Sequence, residues 1–201
     1  ENLILPSTTM TKYCYRALFA NSPTISVAPE LPATTLAEGC YRYMFQDGAI
    51  RTAPDLLAPI LVNDCYEGMF DDCHNLNYIK CLATDISASA CTLGWVQSVP
   101  ASGTFVKNVN ANWALGVNGI PTRWVVVEEG LAKPTIECDG LEITLACSTQ
   151  GASIYYRLNQ AGDYSLYTAA IPITADTIVE AYSTLDEDTS DTVMAACIYE
   201  I

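Results

Sequence analysis

Hydrophobic and polar positions in the first half of the chain recur in a block that repeats about every 25 residues. The block centres on a hexapeptide of the type Cys-Tyr-x-x-Met-Phe, which begins at Cys14, Cys40 and Cys65 and, in a degenerate form, at Cys91. Its apolar spacing, after a Thr-rich opening, predicts a capped short helix. Each copy also contains a short stretch rich in β-branched or aromatic residues, which predicts strands at 24–29, 49–54 and 76–81.

A period near 25 residues with one strand and one short helix per copy falls in the range of leucine-rich repeats. A single copy of this size cannot bury its apolar face alone, so the copies are expected to stack. The sequence therefore predicts an α+β solenoid, with a parallel sheet along one side and short helices along the other. The repeated cysteines would form an inward column of small buried hydrophobes rather than disulfides.

The stretch from Met69 to Ile79 resembles the BspA-type leucine-rich repeat of bacterial surface proteins. The positions that carry the resemblance are Phe70, Cys73, Leu76 and Ile79, and the first two copies depart from it with Ser22 and Gly48 at the Cys position. The resemblance covers residues 1–127. It implies a protein of the bacterial cell surface that binds host proteins or other cells and has no catalytic centre.

After Cys91 the repeat decays, and we interpret residues 97–127 as a C-terminal cap of the array. A stack of repeats needs such a cap, and Trp95, Trp113 and Trp124 supply large apolar surfaces for it. An alternative use of these tryptophans is stacking on sugar rings. The charged stretch 128–133, which contains Gly and Pro, predicts a linker.

Residues 134–201 alternate apolar and polar positions in several short segments separated by turn sequences, which predicts an all-β sandwich. The stretches 151–157, 167–173 and 177–182 resemble the immunoglobulin-like domain at the C-terminus of chitobiase and β-hexosaminidase. The resemblance implies an accessory domain that stands apart from any catalytic one. The Asn159-Gln160-Ala161-Gly162 loop departs from the usual Asp-Gly turn of that domain.

The chain has nine cysteines, an odd number, so at least one thiol is unpaired or pairs between chains. In the second domain one pair among Cys138, Cys147 and Cys197 is a candidate disulfide, with Cys138 and Cys147 the nearest in sequence. The pairing stays open. No Cys-x-x-Cys spacing is present, and the only histidine, His74, directly follows Cys73, so neither a zinc site nor a Cys-His dyad is favoured.

With 23 acidic against 9 basic side chains, the net charge of −14 makes nucleic acid a poor partner. No apolar run approaches the roughly 20 residues of a membrane span. The chain starts at Glu1 without a leader, so we expect a mature or trimmed protein that is extracellular or on the cell surface. No motif indicates a cofactor. The acidic stretch 186–191 offers oxygen ligands for calcium but lacks the spacing of an EF-hand, which favours a solvated loop.

The favoured function is non-enzymatic adhesion or ligand binding through the sheet face of the repeats. The candidate ligand surface consists of outward-facing strand residues: Ser26, Arg51, Thr52, Asn77 and Tyr78. The expected partner is a host extracellular protein or a surface glycan, with the oligomeric state left open. The alternatives are a structural spacer in a larger surface protein, carbohydrate binding through Tyr155, Tyr156, Tyr164 and Tyr167, and a glycosidase, for which no acid–base pair can be named.

Overall fold

A computed structural model describes residues 5–200, and the chain divides into two compact units, the first ending at Glu129 and the second beginning at Gly130. Eleven strands lie within the described residues. They are β1 Tyr78–Cys81, β2 Thr104–Asn108, β3 Val125–Glu129, β4 Thr135–Cys138, β5 Glu142–Ala146, β6 Ser153–Leu158, β7 Ser165–Leu166, β8 Ile171–Pro172, β9 Thr177–Leu185, β10 Asp188–Thr189 and β11 Val193–Cys197.

The α+β solenoid predicted for the repeats is wrong. Residues 5–200 contain no helix, and their strands form sheets of three, five and three strands, so the described chain is all-β. Of the three predicted repeat strands, only the one at 76–81 is present, as β1. In the stretch 49–54, Thr52 makes a single parallel bridge with Tyr78. The antiparallel sheets of the second unit do not conflict with an immunoglobulin-like sandwich.

Backbone conformation explains why the hexapeptides do not form helices. They lie in four turn segments, 13–21, 39–47, 64–72 and 90–98, in which every fourth residue has a positive φ. In the second segment these residues are Gly39, Tyr43 and Asp47, with φ of 59°, 56° and 53°. A left-handed residue typically ends a right-handed helix. Each right-handed stretch therefore stops after three residues, and an α-helix cannot propagate.

Backbone hydrogen bonds in the turn segments alternate between two kinds of acceptor. The amide of Tyr41 donates to the carbonyl of Cys65 in the next segment (3.0 Å), whereas the amide of Arg42 donates to Gly39 three residues back (3.2 Å). The same alternation continues along each of the first three segments. Every second amide is thus satisfied by the neighbouring copy, and the 25-residue period of the sequence is the step of this parallel ladder.

The interior of the first unit is built from columns of identical or similar side chains. The rings of Tyr15, Tyr41 and Tyr66 stack at centroid distances of 5.9 and 6.0 Å, and Trp95 continues the column at 6.2 Å. A second column contains Phe19, Phe45 and Phe70. All three tryptophans are buried, and the Trp95 indole donates to the carbonyl of Gly119. The tryptophan rings are therefore not available for stacking on a sugar.

The repeated cysteines are free thiols, and Cys40, Cys65 and Cys91 are buried, while Cys14 is exposed. Burial raises the pKa of the Cys40 thiol to about 11 and also raises the pKa of Cys65 and Cys91. These three thiols consequently stay protonated near neutral pH and act as small apolar groups.

The first unit also contains a short parallel sheet in the order β1-β2-β3. Ile79, Cys81 and Phe105 are fully buried, whereas Tyr78 and Thr104 on the opposite face remain partly exposed. This alternation follows from the two-residue period of a strand. The sheet therefore turns one face to the core and one to solvent.

The second unit consists of two antiparallel sheets, one formed by β4, β5 and β8 and the other by β6, β7, β9, β10 and β11. Their apolar faces share one core, which includes Ile143, Ile154, Val179 and Ala181. The acidic stretch 186–191 closes a tight hairpin between β9 and β10, in which Leu185 pairs with Asp188.

A disulfide joins Cys138 on β4 to Cys197 on β11, with Cα atoms 5.6 Å apart. The pair that is nearest in sequence, Cys138 and Cys147, is not bridged. In the β4–β5 hairpin, Cys138 lies opposite Ile143, while Cys147 follows the far end of β5. The Cys147 thiol instead donates to the carbonyl of Ala132.

Candidate functional site

Four of the five predicted ligand-surface residues come together at the start of the parallel sheet. The amide of Asn77 donates to the carbonyl of Arg51 (2.9 Å), and Thr52 is bridged in parallel to Tyr78. Arg51, Thr52 and Asn77 are exposed, and Tyr78 is half-buried. We call these four neighbouring residues, together with the residues paired to them across the sheet, the sheet face.

Ser26, the fifth predicted residue, is exposed but lies outside the strands. Within residues 5–200, no hydrogen bond or bridge connects it to Arg51, the equivalent position one copy later. The stretch 24–29 thus continues the sequence repeat without joining the sheet.

Two further residues belong to the sheet face and were missed by the sequence analysis. Thr104 on β2 pairs with Tyr78, and Val125 on β3 pairs with Thr104. Thr52, Tyr78 and Thr104 follow one another at steps of 26 residues, so the spacing carried the signal for Thr104. The complete row of paired residues runs Thr52, Tyr78, Thr104 and Val125 across the sheet.

An ion pair bounds one side of the sheet face. Lys80 Nζ on β1 lies 2.7 Å from Glu129 Oε2 on β3, so the pair spans the middle strand, where Val106 is buried. The hydrogen bond to Glu129 raises the pKa of Lys80. Exposed ion pairs contribute little to stability, but this one fixes two long side chains beside Tyr78.

The polar side chains of the sheet face are not used within the fold. Between residues 5 and 200, Arg51, Thr52, Asn77 and Tyr78 have no side-chain hydrogen bond or salt bridge. The Arg51 guanidinium, the Asn77 amide and the Thr52 and Tyr78 hydroxyls therefore keep their donors and acceptors for another molecule.

A shallow cavity of about 450 Å³ begins next to the sheet face, where residues 28–32 of one copy face residues 53–57 of the next. Its lining combines apolar side chains, among them Leu31 and Leu57, with the carboxylates of Glu30 and Asp55. The lining begins at Ala53, the residue after Thr52, so a molecule bound at Thr52 would find apolar contacts and negative charge beside it.

The adjacent residues Cys73 and His74 face different environments. The Cys73 thiol is fully buried and donates to the carbonyl of Phe45 (3.0 Å), and burial raises its pKa to about 11. His74 is exposed, with Nδ1 3.0 Å from the carbonyl of Ser98. A buried, protonated thiol next to a ring that is bonded elsewhere is suited to a structural role.

Candidate metal ligands are dispersed. Among residues 5–200, no group of three or more His, Cys, Asp or Glu side chains could hold a metal ion. Within the stretch 186–191, Asp191 pairs with Lys133 at 2.8 Å.

Residues 5–200 include no helix that is long and apolar enough to cross a membrane.

The tyrosines proposed for carbohydrate binding lie on two different faces of the second unit. Tyr156 and Tyr167 contact each other edge to face and pack against the core. Tyr155 and Tyr164 lie on the solvent face of the five-stranded sheet, together with Tyr182, which the sequence analysis missed. Alternation along β6 separates Tyr155 from Tyr156.

Comparison of the chain with models of protein families, with curated proteins and with solved structures gives no match.

Proposed function

We propose that the protein is a non-enzymatic, extracellular or cell-surface protein that binds another protein through the sheet face of its first unit. The observation that carries the proposal is the row Thr52, Tyr78, Thr104 and Val125, which crosses adjacent parallel segments and is flanked by Arg51 and Asn77. An aromatic ring and an unpaired guanidinium on one rigid surface are typical of protein-binding residues.

Rigidity supports this assignment. The backbone of the sheet face is held by inter-strand hydrogen bonds, including Ala53 N to Tyr78 O and Thr104 N to Asn77 O, both 2.9 Å. A backbone that is held in this way loses little conformational freedom when a partner binds. The neighbouring cavity with Glu30 and Asp55 favours a partner that brings a basic group and an apolar side chain.

The cysteines support the proposed location. The disulfide between Cys138 and Cys197 is of the kind that persists in an oxidising compartment. The buried thiols with raised pKa, such as Cys40, Cys73 and Cys81, are protected there from oxidation and exchange. An extracellular protein can keep these free thiols because the fold shields them.

The test is binding of the full chain to immobilised collagen, laminin and fibronectin by surface plasmon resonance. The variant Ser26→Ala/Arg51→Ala/Tyr78→Ala removes the predicted contacts, and we expect at least a tenfold loss of affinity for any of these proteins that binds. Omitting Ser26→Ala from the triple variant checks whether Ser26, which lies outside the strands, takes part.

The matched control changes Thr11, Arg16 and Leu18 to alanine. These residues are exposed and lie in or beside the first turn segment, and their replacement removes one positive charge, as in the sheet-face variant, and one of the two hydroxyls lost there. Unchanged binding by the sheet-face variant, or equal losses in the two triple variants, would refute the assignment. Absence of binding to all three probes would favour the alternative role as a spacer.

A further inference from the structure

The solvent face of the five-stranded sheet in the second unit carries a cluster of aromatic rings. Tyr155 on β6 and Tyr182 on β9 are direct cross-strand partners, with ring centroids 5.6 Å apart and ring planes inclined by 13°. Tyr164, from the loop before β7, meets the Tyr182 ring edge to face at 4.8 Å. All three side chains are partly exposed. We call these three residues the tyrosine cluster.

An ion pair forms the polar border of the tyrosine cluster. Arg157 and Glu180 are the next cross-strand pair along β6 and β9, and Arg157 Nε binds the Glu180 carboxylate. The Tyr164 hydroxyl donates to the same carboxylate (3.1 Å), and the guanidinium lies 4.8 Å from the centre of the Tyr164 ring. The border is therefore polar but close to electrically neutral.

The loop that carries Tyr164 is fixed before any ligand arrives. The backbone amide of Asn159 donates to the carbonyl of Ile178 (2.7 Å), and the side-chain oxygen Oδ1 of Asn159 accepts a hydrogen bond from the backbone amide of Ile178 (2.9 Å). The bond from Tyr164 to Glu180 holds the other end. Tyr164 thus stays over the sheet, which lowers the entropic cost of binding to its ring.

We propose that the tyrosine cluster is a binding site for a neutral sugar ring. A pyranose has an apolar face of C–H groups and a rim of hydroxyls, which matches aromatic rings bordered by a planar guanidinium and a carboxylate. The ion pair leaves no net charge at the border, and the net charge of −14 repels anionic polysaccharides, so the site fits a neutral glycan. This site lies in a different unit from the sheet face and does not rest on the function proposed there.

The remaining exposed apolar residues of this sheet face of the second unit distinguish a sugar from a protein partner. Ile178, 39% exposed, lies two residues from Glu180 along β9 on the side away from Tyr182, and Met194, 61% exposed, lies directly opposite Glu180 on β11. A protein that covered the whole face would contact both groups of residues, whereas a sugar on the rings would contact only the tyrosine cluster.

The test is affinity electrophoresis of the full chain in gels that contain amylose, xylan, mannan or a mixed-linkage β-glucan, with polygalacturonate as the anionic comparison. We expect retardation by at least one neutral polysaccharide and none by polygalacturonate. Titration calorimetry with the matching oligosaccharide then gives the affinity. Retardation by none of the neutral polysaccharides would overturn the proposal.

Variants locate the binding site. Tyr155→Ala and Tyr182→Ala should each weaken binding at least tenfold, while Tyr182→Phe, which keeps the ring, should stay within twofold of the original affinity. Met194→Ala is the control on the same face and should have no effect. Binding that survives both tyrosine-to-alanine changes refutes the site, and a loss in Met194→Ala equal to that in Tyr155→Ala contradicts a site confined to the tyrosine cluster.

Circular dichroism melting separates lost contacts from lost structure. If Tyr155→Ala or Tyr182→Ala unfolds the second unit, Tyr182→Phe and saturation-transfer NMR on the unmodified chain still decide the question. Transfer from aromatic protons to sugar C–H protons is expected. Its absence under conditions where the gel shows retardation would contradict ring stacking.

Discussion

Gly68 should be far less tolerant of alanine than Gly94, although the two occupy equivalent positions in successive turn segments. Both have a left-handed backbone, with φ of 59° and 62°. A Cβ on Gly68 would lie 2.1 Å from Cε1 of Tyr43, whereas a Cβ on Gly94 would meet no atom within 4 Å. The difference arises because the residue one copy before Gly68 is Tyr43, which has a ring, whereas the residue one copy before Gly94 is Gly68, which has no side chain.

The expected costs follow from these contacts. Alanine in a left-handed conformation costs about 1 kcal/mol relative to glycine, and this alone should apply to Gly94→Ala. Gly68→Ala must also displace Tyr43, whose hydroxyl donates to Glu67 at 2.8 Å. Loss of a hydrogen bond to a charged group adds about 2 kcal/mol. We therefore expect Gly68→Ala to lower the free energy of unfolding by about 3 kcal/mol.

Urea unfolding followed by tryptophan fluorescence measures this effect in the first unit alone, because Trp95, Trp113 and Trp124 all precede Gly130. In the Tyr43→Ala background, the Gly68→Ala change should cost only about 1 kcal/mol, since no ring remains to be displaced. Equal costs for Gly68→Ala and Gly94→Ala in the original background would refute the contact argument.

Three further predictions concern the cysteines and a carboxylate. Native alkylation should label Cys14 first, and denaturation without reductant should expose seven thiols, counted by intact mass. Reducing the Cys138–Cys197 disulfide, which closes a 59-residue separation, should cost the second unit about 4 kcal/mol and leave the tryptophan signal unchanged. The hydrogen bond from Arg157 lowers the pKa of Glu180, so its stabilising contribution is complete above the unfolded pKa of about 4.3 and is lost as the pH falls through the lower folded pKa. Far-UV unfolding of Glu180→Gln should accordingly show a weaker pH dependence in that acidic range than the original chain.

The repeat was predictable from the sequence, but its secondary structure was not. The Cys-Tyr-x-x-Met-Phe pattern places apolar residues at positions 1, 2, 5 and 6, which suits one side of a helix and equally suits a chain that turns every four residues. The distinguishing signal was the spacing of Asp64, Gly68 and Asp72, residue types that tolerate a positive φ. In the second segment, Tyr43 has a positive φ although tyrosine is not one of those types, so the spacing of Asp, Gly and Asn residues does not mark every left-handed position.

The candidate surfaces show a similar limit. Arg51, Thr52, Asn77 and Tyr78 meet because a fixed repeat length puts equivalent residues side by side, and the sequence contains that length. The tyrosine cluster depends instead on the register between β6 and β9, which places Tyr155 opposite Tyr182 across 26 intervening residues. A shift of one residue in that register would send Tyr182 to the core face, and composition alone does not determine it.

Side-chain contacts between neighbouring turn segments determine the register in which the copies pair. In each of two such contacts, a basic residue and the tyrosine after it meet a glutamate and the glycine after it in the next copy. Lys12 and Tyr13 bind Glu38, and the Tyr13 ring lies against Gly39; Arg42 and Tyr43 contact Glu67 and Gly68 in the same way. The two contacts occupy different columns of the ladder. A slip of two residues would keep the alternation of backbone donors, but it would remove each glycine from beneath its ring and each carboxylate from its cation. The backbone ladder therefore supplies cohesion between copies, and these side chains select the register that also aligns Thr52 with Tyr78.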